Sequence, residues 1–142
     1  MAAIGLRRAL LGTLAGGAVW GIWSTIVNMW LLMPRYKFAQ AHNLMLSQPR
    51  YHFFIVYWFV TLFILTYILT WVYASARTTC GPGPVTAARV GVLMGFTMSF
   101  PLGLTMAAWA PFGRGIVAGW MLDLWVGAIL ATLVSGFFYK ES

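Results

Sequence analysis

Asp123 is the one acidic residue that falls inside a long apolar stretch of this sequence. An aspartate near the centre of a membrane-spanning helix costs about 2.5 to 3.5 kcal/mol on the insertion scale, whereas each Leu or Ile returns only about 0.3 to 0.6 kcal/mol. A group placed there faces the protein interior and finds a partner. Two chemistries follow. One is a hydrogen-bonded clasp between helices; the other is a proton- or cation-binding site in a transport path. The sequence has no second intramembrane acid with which to build a relay. Ser24, Thr25 and Asn28 in the first apolar stretch and Ser99 in the third lie at a similar depth. A polar cluster of Asp123 with Asn28, and with Ser99, is therefore geometrically open.

The remaining reactive side chains form no recognisable site. His42 and His52 fall in a polar stretch and at the very start of the second apolar run, away from the mid-helix positions a bis-histidine haem needs. Cys-x-x-Cys-His is absent, as is any His and carboxylate cluster at metal-ligand spacing. Gly81-Pro-Gly-Pro84 lacks the Gly-Lys-Ser/Thr of a phosphate loop, and no Ser, His and Asp are arranged as a nucleophile elbow. The eight methionines are spread over the chain and read as packing residues rather than copper ligands. Cys80 is alone, so an intramolecular disulfide is excluded. No enzyme, metal site or cofactor is expected.

What must position Asp123 is a membrane bundle. Of 142 residues, 61% are hydrophobic and 8% charged, with a mean hydropathy of +0.82; a soluble domain carries about 25% charged residues. Apolar runs of roughly 20 residues match a ~30 Å hydrocarbon core. The fold class is all-α, a polytopic four-helix bundle forming a single membrane domain, with spans near 9–33, 52–75, 85–109 and 114–139. The first span is closed by Pro34. A short helix on the membrane surface, built on Phe38, Ala41, Leu44, Met45 and Leu46, fits the following loop. Arg7 and Arg8 precede an apolar run that continues to Met33, beyond a signal-peptide core of roughly 7–15 residues, so an uncleaved first helix is expected.

The net charge of +7 does not point to nucleic acid, because the basic residues are scattered among termini and loops without a basic face. They read as anchors. With the N-terminus inside, Arg7, Arg8, Arg77, Arg89 and Lys140 lie inside, and Arg35, Lys37, Arg50 and Arg114 outside. Arg7 and Arg8 stand directly before the first helix, and both termini are accordingly expected on the cytoplasmic side.

The spans differ. Residues four apart form a ridge, and small ones turn it into a groove where helices approach closely. The fourth span has Gly115, Gly119, Asp123, Gly127, Ala131 and Ser135; the third has Gly91, Gly95, Ser99 and Gly103. The first has Thr13, Gly17, Gly21 and Thr25, beside a second row of Gly12, Gly16, Ser24 and Asn28 broken by Trp20. Spans one, three and four should form a tight core around Asp123. The second span is bulky nearly all round and should sit at the edge. Its Tyr57, Trp58, Phe63, Tyr67 and Trp71 would then face lipid or another membrane subunit.

Trp71-Val-Tyr-Ala-Ser-Ala-Arg77, Gly81-Pro-Gly-Pro-Val-Thr-Ala87, Ala131-Thr-Leu133 and Tyr139-Lys-Glu141 resemble a family of small bacterial four-helix membrane proteins. In those, a span ends in Trp-x-Tyr-Ala-x-x-Arg before a Gly-Pro-Gly-Pro-x-Thr-Ala loop, and an Asn such as Asn28 stands late in span one. Cys80 and the long loop after Pro34 depart from that pattern. The resemblance implies a bacterial inner-membrane location and no particular activity. The expected role is a non-catalytic accessory or scaffold subunit of a larger membrane complex. Alternatives are a small oligomeric transporter or channel coupled through Asp123, and a protein binding lipid, quinone or pigment in an aromatic groove.

Overall fold

The computed structural model describes residues 5–139; Lys140 and Glu141 lie outside them. The chain is helical, with α1 at Leu6–Ile26, α2 at Met33–Ala41, α3 at Phe54–Cys80, α4 at Pro84–Trp109 and α5 at Arg114–Phe138. Four helical stretches are long and apolar enough to cross a membrane, and they assemble as a four-helix bundle. The protein is a polytopic membrane protein.

The first stretch does not stop at Pro34. It runs for 36 residues, from Leu6 to Ala41, about 54 Å at 1.5 Å per residue. A π-helical turn at Val27–Leu32 joins α1 to α2, and Pro34 sits in the first turn of α2. In an uninterrupted α-helix the proline ring would strike the carbonyl four residues back, and Pro supplies no N–H. Widening the preceding turn relieves the clash, an adjustment that membrane helices commonly use. The separate surface helix expected in the first loop does not form among the described residues; α2 takes up Phe38 and Ala41 instead. It is continuous with the first span, while Leu44, Met45 and Leu46 follow in irregular turns.

α5 is the centre of the bundle. It packs along α4 on one side and α1 on the other and also touches α3, whereas α1 and α4 are not in contact among the described residues. The small row of α5 faces α1: a Cβ on Gly16 would stand 2.6 Å from the Ala131 carbonyl oxygen, and one on Gly12 2.9 Å from that of Ser135. The α1 row that docks here is therefore the one Trp20 interrupts. The interruption fits because the Trp20 indole lies directly over Gly127. Gly17 and Gly21 are instead covered by the rings of Phe63 and Phe59 from α3. On α4, Gly91, Gly95 and Gly103 meet α5 at Ile129, Trp125 and Met121.

α3 is less peripheral than its bulk suggests. Leu62, Thr66, Leu69, Thr70, Tyr73 and Ala74 form a buried stripe, with Thr66 and Thr70 returning their hydroxyls to the carbonyls of Leu62 and Thr66. The helix continues past residue 75 to Cys80 and ends at Gly81, whose φ of 81°, like the 135° of Gly83, is readily adopted only by glycine.

Candidate functional site

Asp123 is 1% exposed, in the row of α5 that docks on α1. Its neighbours on that row, Gly119 and Gly127, are covered by Leu32 and Trp20 of the first helical stretch, so the carboxyl group points at the segment carrying Ser24 and Asn28. The Ser24 hydroxyl donates to Asp123 Oδ2 at 2.7 Å and Asn28 Nδ2 donates to the same oxygen at 3.1 Å. Asn28 Nδ2 also reaches the Ser24 carbonyl at 2.8 Å.

Further donors converge on this pair. Trp58 Nε1 of α3 donates to Ser24 Oγ at 2.9 Å. Tyr36 of α2 donates its hydroxyl hydrogen to Asn28 Oδ1 at 2.7 Å, and Trp120 Nε1 of α5 donates to Tyr36 Oη at 2.7 Å. Followed from either end, every one of these side-chain donors points along the chain toward Asp123 Oδ2. The network joins α1, the π turn, α2, α3 and α5 through one oxygen. Its partners there are a hydroxyl and an amide rather than a cation. Asp123 Oδ1 and the Trp20 indole N–H are buried without a hydrogen bond among the described residues, although that indole lies within electrostatic reach of the carboxyl group.

The π turn makes this geometry available. In a straight α-helix a step of four residues advances about 40° around the axis, so a row at spacing four drifts away from its neighbour. The slower winding at Val27–Leu32 offsets the drift. Ser24, Asn28, Leu32 and Tyr36 all remain on the α5 side, with Leu32 buried over Gly119.

Of the polar residues placed near Asp123 by depth, the structure brings together Ser24 and Asn28 only. Thr25 is exposed and returns its hydroxyl to the Gly21 carbonyl at 2.8 Å; one residue beyond Ser24, it is turned about 100° away. Ser99 is buried but bonds the Gly95 carbonyl at 2.7 Å. Its depth is as expected, since it stands between the α4 glycines that meet Trp125 and Met121. Those residues lie two positions either side of Asp123, hence about 200° around α5. The expected core around Asp123 is corrected accordingly: the third span faces the other side of α5, and the second span contributes Trp58. Tyr36, Trp58 and Trp120 were not foreseen, because an indole or phenol in an aromatic-rich chain carries no sequence mark distinguishing a hydrogen-bonded ring from a lipid-facing one.

A second cluster gathers the Trp-x-Tyr-Ala-x-x-Arg and Gly-Pro-Gly-Pro-x-Thr-Ala segments at the opposite end of the bundle. Arg77 donates to the Tyr139 carbonyl at 2.8 Å, and its guanidinium stands 5.9 Å and 5.4 Å from the ring centroids of Tyr73 and Tyr139. Tyr73 Oη accepts from Gly83 N–H at 3.3 Å, and Thr86 donates to the Gly81 carbonyl at 2.8 Å. The Arg77 cation caps the C-terminus of α5, where the carbonyl dipoles favour positive charge. These segments are thus one latch tying the ends of α3 and α5 to the start of α4.

His42 is exposed, with Nδ1 2.8 Å from the Phe38 carbonyl and its ring against Phe38; His52 and Cys80 are also exposed. No group of three His, Cys, Asp or Glu suited to a metal occurs among the described residues. Comparison with protein-family models, curated proteins and solved structures found no match.

Proposed function

We propose that this chain is a non-catalytic accessory or scaffold subunit of a larger assembly in the bacterial cytoplasmic membrane, with both termini on the cytoplasmic side. The supporting observation is the use made of Asp123. The one acid within the spans is taken up in a clasp that joins α1, α2, α3 and α5, as expected of a chain whose task is to hold a shape. The outer face of α3 supplies a surface for a partner helix. Tyr57, Tyr67 and Trp71 are exposed there, while Phe63 covers Gly17 and Trp58 enters the clasp, so the partner face is narrower than the five residues first considered. The test is extraction in a gentle detergent followed by native mass spectrometry. A defined partner lost from a Tyr57→Ala/Trp71→Ala variant supports the role, and a chain that migrates only as itself overturns it.

A second reading draws on one observation, the buried Asp123 Oδ1 without a hydrogen bond among the described residues. In a small transporter or channel that oxygen would carry the transported proton or cation. Asp123→Asn would then abolish flux in reconstituted vesicles while leaving the assembly intact; unchanged flux refutes this alternative.

A further inference from the structure

One end of the bundle carries the turns after α2 and the connection between α4 and α5. Arg35, Lys37, Arg50 and Arg114 all lie there, and all four are exposed. Asp123 is the one acid among the described residues, and its carboxyl group is taken up by Ser24 and Asn28. Among the described residues none of these four cations has a hydrogen-bonding or acidic partner. Arg35 reaches back to α5. Its guanidinium lies against the backbone of Gly115, where any Cβ would displace it. Tyr36 beside it is tied to Trp120, and Ala39 is buried one turn later. Arg114 precedes Gly115, with its Cα about 3.8 Å from that of the glycine. Two arginines therefore adjoin one point on α5, the guanidinium of one of them seated on the Gly115 backbone, with no acidic partner among the described residues.

The level of this point in the bilayer is marked by tryptophans. Trp30 and Trp109 are 83% and 86% exposed, five residues before Arg35 and Arg114 respectively, about 7.5 Å along a helix in the case of Trp30. Exposed indoles settle at the border of acyl chains and headgroups. The two arginines then stand at phosphate level, and guanidinium forks match phosphate oxygens bidentately.

We propose that Arg35 and Arg114 together hold the phosphate of an anionic phospholipid headgroup, making this end of the bundle a specific lipid site as well as a membrane anchor. The full chain, reconstituted into vesicles of equal parts phosphatidylcholine and phosphatidylglycerol and released in mild detergent, is weighed by native mass spectrometry. The expected result is retained phosphatidylglycerol in preference to phosphatidylcholine. Arg35→Gln/Arg114→Gln should lower that preference about 30-fold and Arg114→Gln alone about fivefold, the factors expected of two and one surface arginines. Arg7→Gln/Arg89→Gln, which removes two exposed cations from the opposite end, should leave it unchanged. The single Arg114 variant keeps the test open if the double variant does not fold, since that side chain is exposed at the first position of its helix. Equal retention of the two lipids, equal losses in both double variants, or displacement of the lipid by inorganic phosphate would each overturn the proposal, the last by showing a free-anion site instead.

Discussion

Replacing Asp123 by Leu removes the acceptor on which the whole network converges. Ser24 and Asn28 each lose one hydrogen bond to Oδ2. Side-chain hydrogen bonds between membrane helices average about 0.6 kcal/mol and reach about 1.7 kcal/mol, because helices separated in the bilayer also find polar partners. Two such bonds give a loss of about 1 to 3 kcal/mol for Asp123→Leu. The gain in insertion free energy does not offset this, since it favours the separated and the packed helices alike. The assay must therefore report helix association rather than insertion. Titration of the protein with sodium dodecyl sulfate in mixed micelles, followed by tryptophan fluorescence, does so. Asp123→Asn is the informative companion. Its amide oxygen can take the place of Oδ2 and accept from Ser24 and Asn28, so its loss should stay below about 1 kcal/mol. In a Ser24→Ala/Asp123→Leu double variant the two losses should fall short of their sum, as befits residues in one network. An Asp123→Leu protein as stable as the parent, or additive losses in the double variant, would refute the clasp.

Three further outcomes are expected. Gly127→Ala places a methyl group in the space of the Trp20 indole; overpacking of this kind costs about 1–3 kcal/mol, readable in the same titration. Arg77→Met removes a charge-assisted hydrogen bond to the Tyr139 carbonyl and two ring contacts. It should destabilise the C-terminal end of α5 by about 1.5–3 kcal/mol, seen as faster amide hydrogen exchange near Ser135–Tyr139 with the Asp123 end unaffected. Cys80, the single cysteine and exposed, reports orientation: a membrane-impermeant maleimide should label it in inverted vesicles and not in intact spheroplasts if both termini are cytoplasmic.

Much of this protein follows from composition and spacing. Four apolar runs in a chain with 8% charged residues have no soluble solution, because backbone polar groups in lipid are satisfied within helices. The ends of α4 and α5 fall within a residue of the expected limits for the same reason, Gly113 and Pro84 being turn and helix-start signals. The inward position of Asp123 was also legible, since a buried charge tolerates no other direction, and the spacing of four residues between Ser24 and Asn28 placed both on one helix face.

Tertiary structure decided the rest. Depth along a helix can be counted in a sequence, but rotation about its axis cannot once the helix departs from regular winding. The π turn ahead of Pro34 keeps Tyr36 and Leu32 on the α5 side, and no residue type announces that a proline will be accommodated rather than obeyed as a stop. Ser99 shows the complementary failure: at the right depth, it faces a side of α5 about 200° from Asp123. Trp20 looked like a defect in a glycine row and is a knob seated over Gly127. Whether a large side chain breaks a groove or fills one depends on the helix opposite, and that information resides in the packed bundle alone.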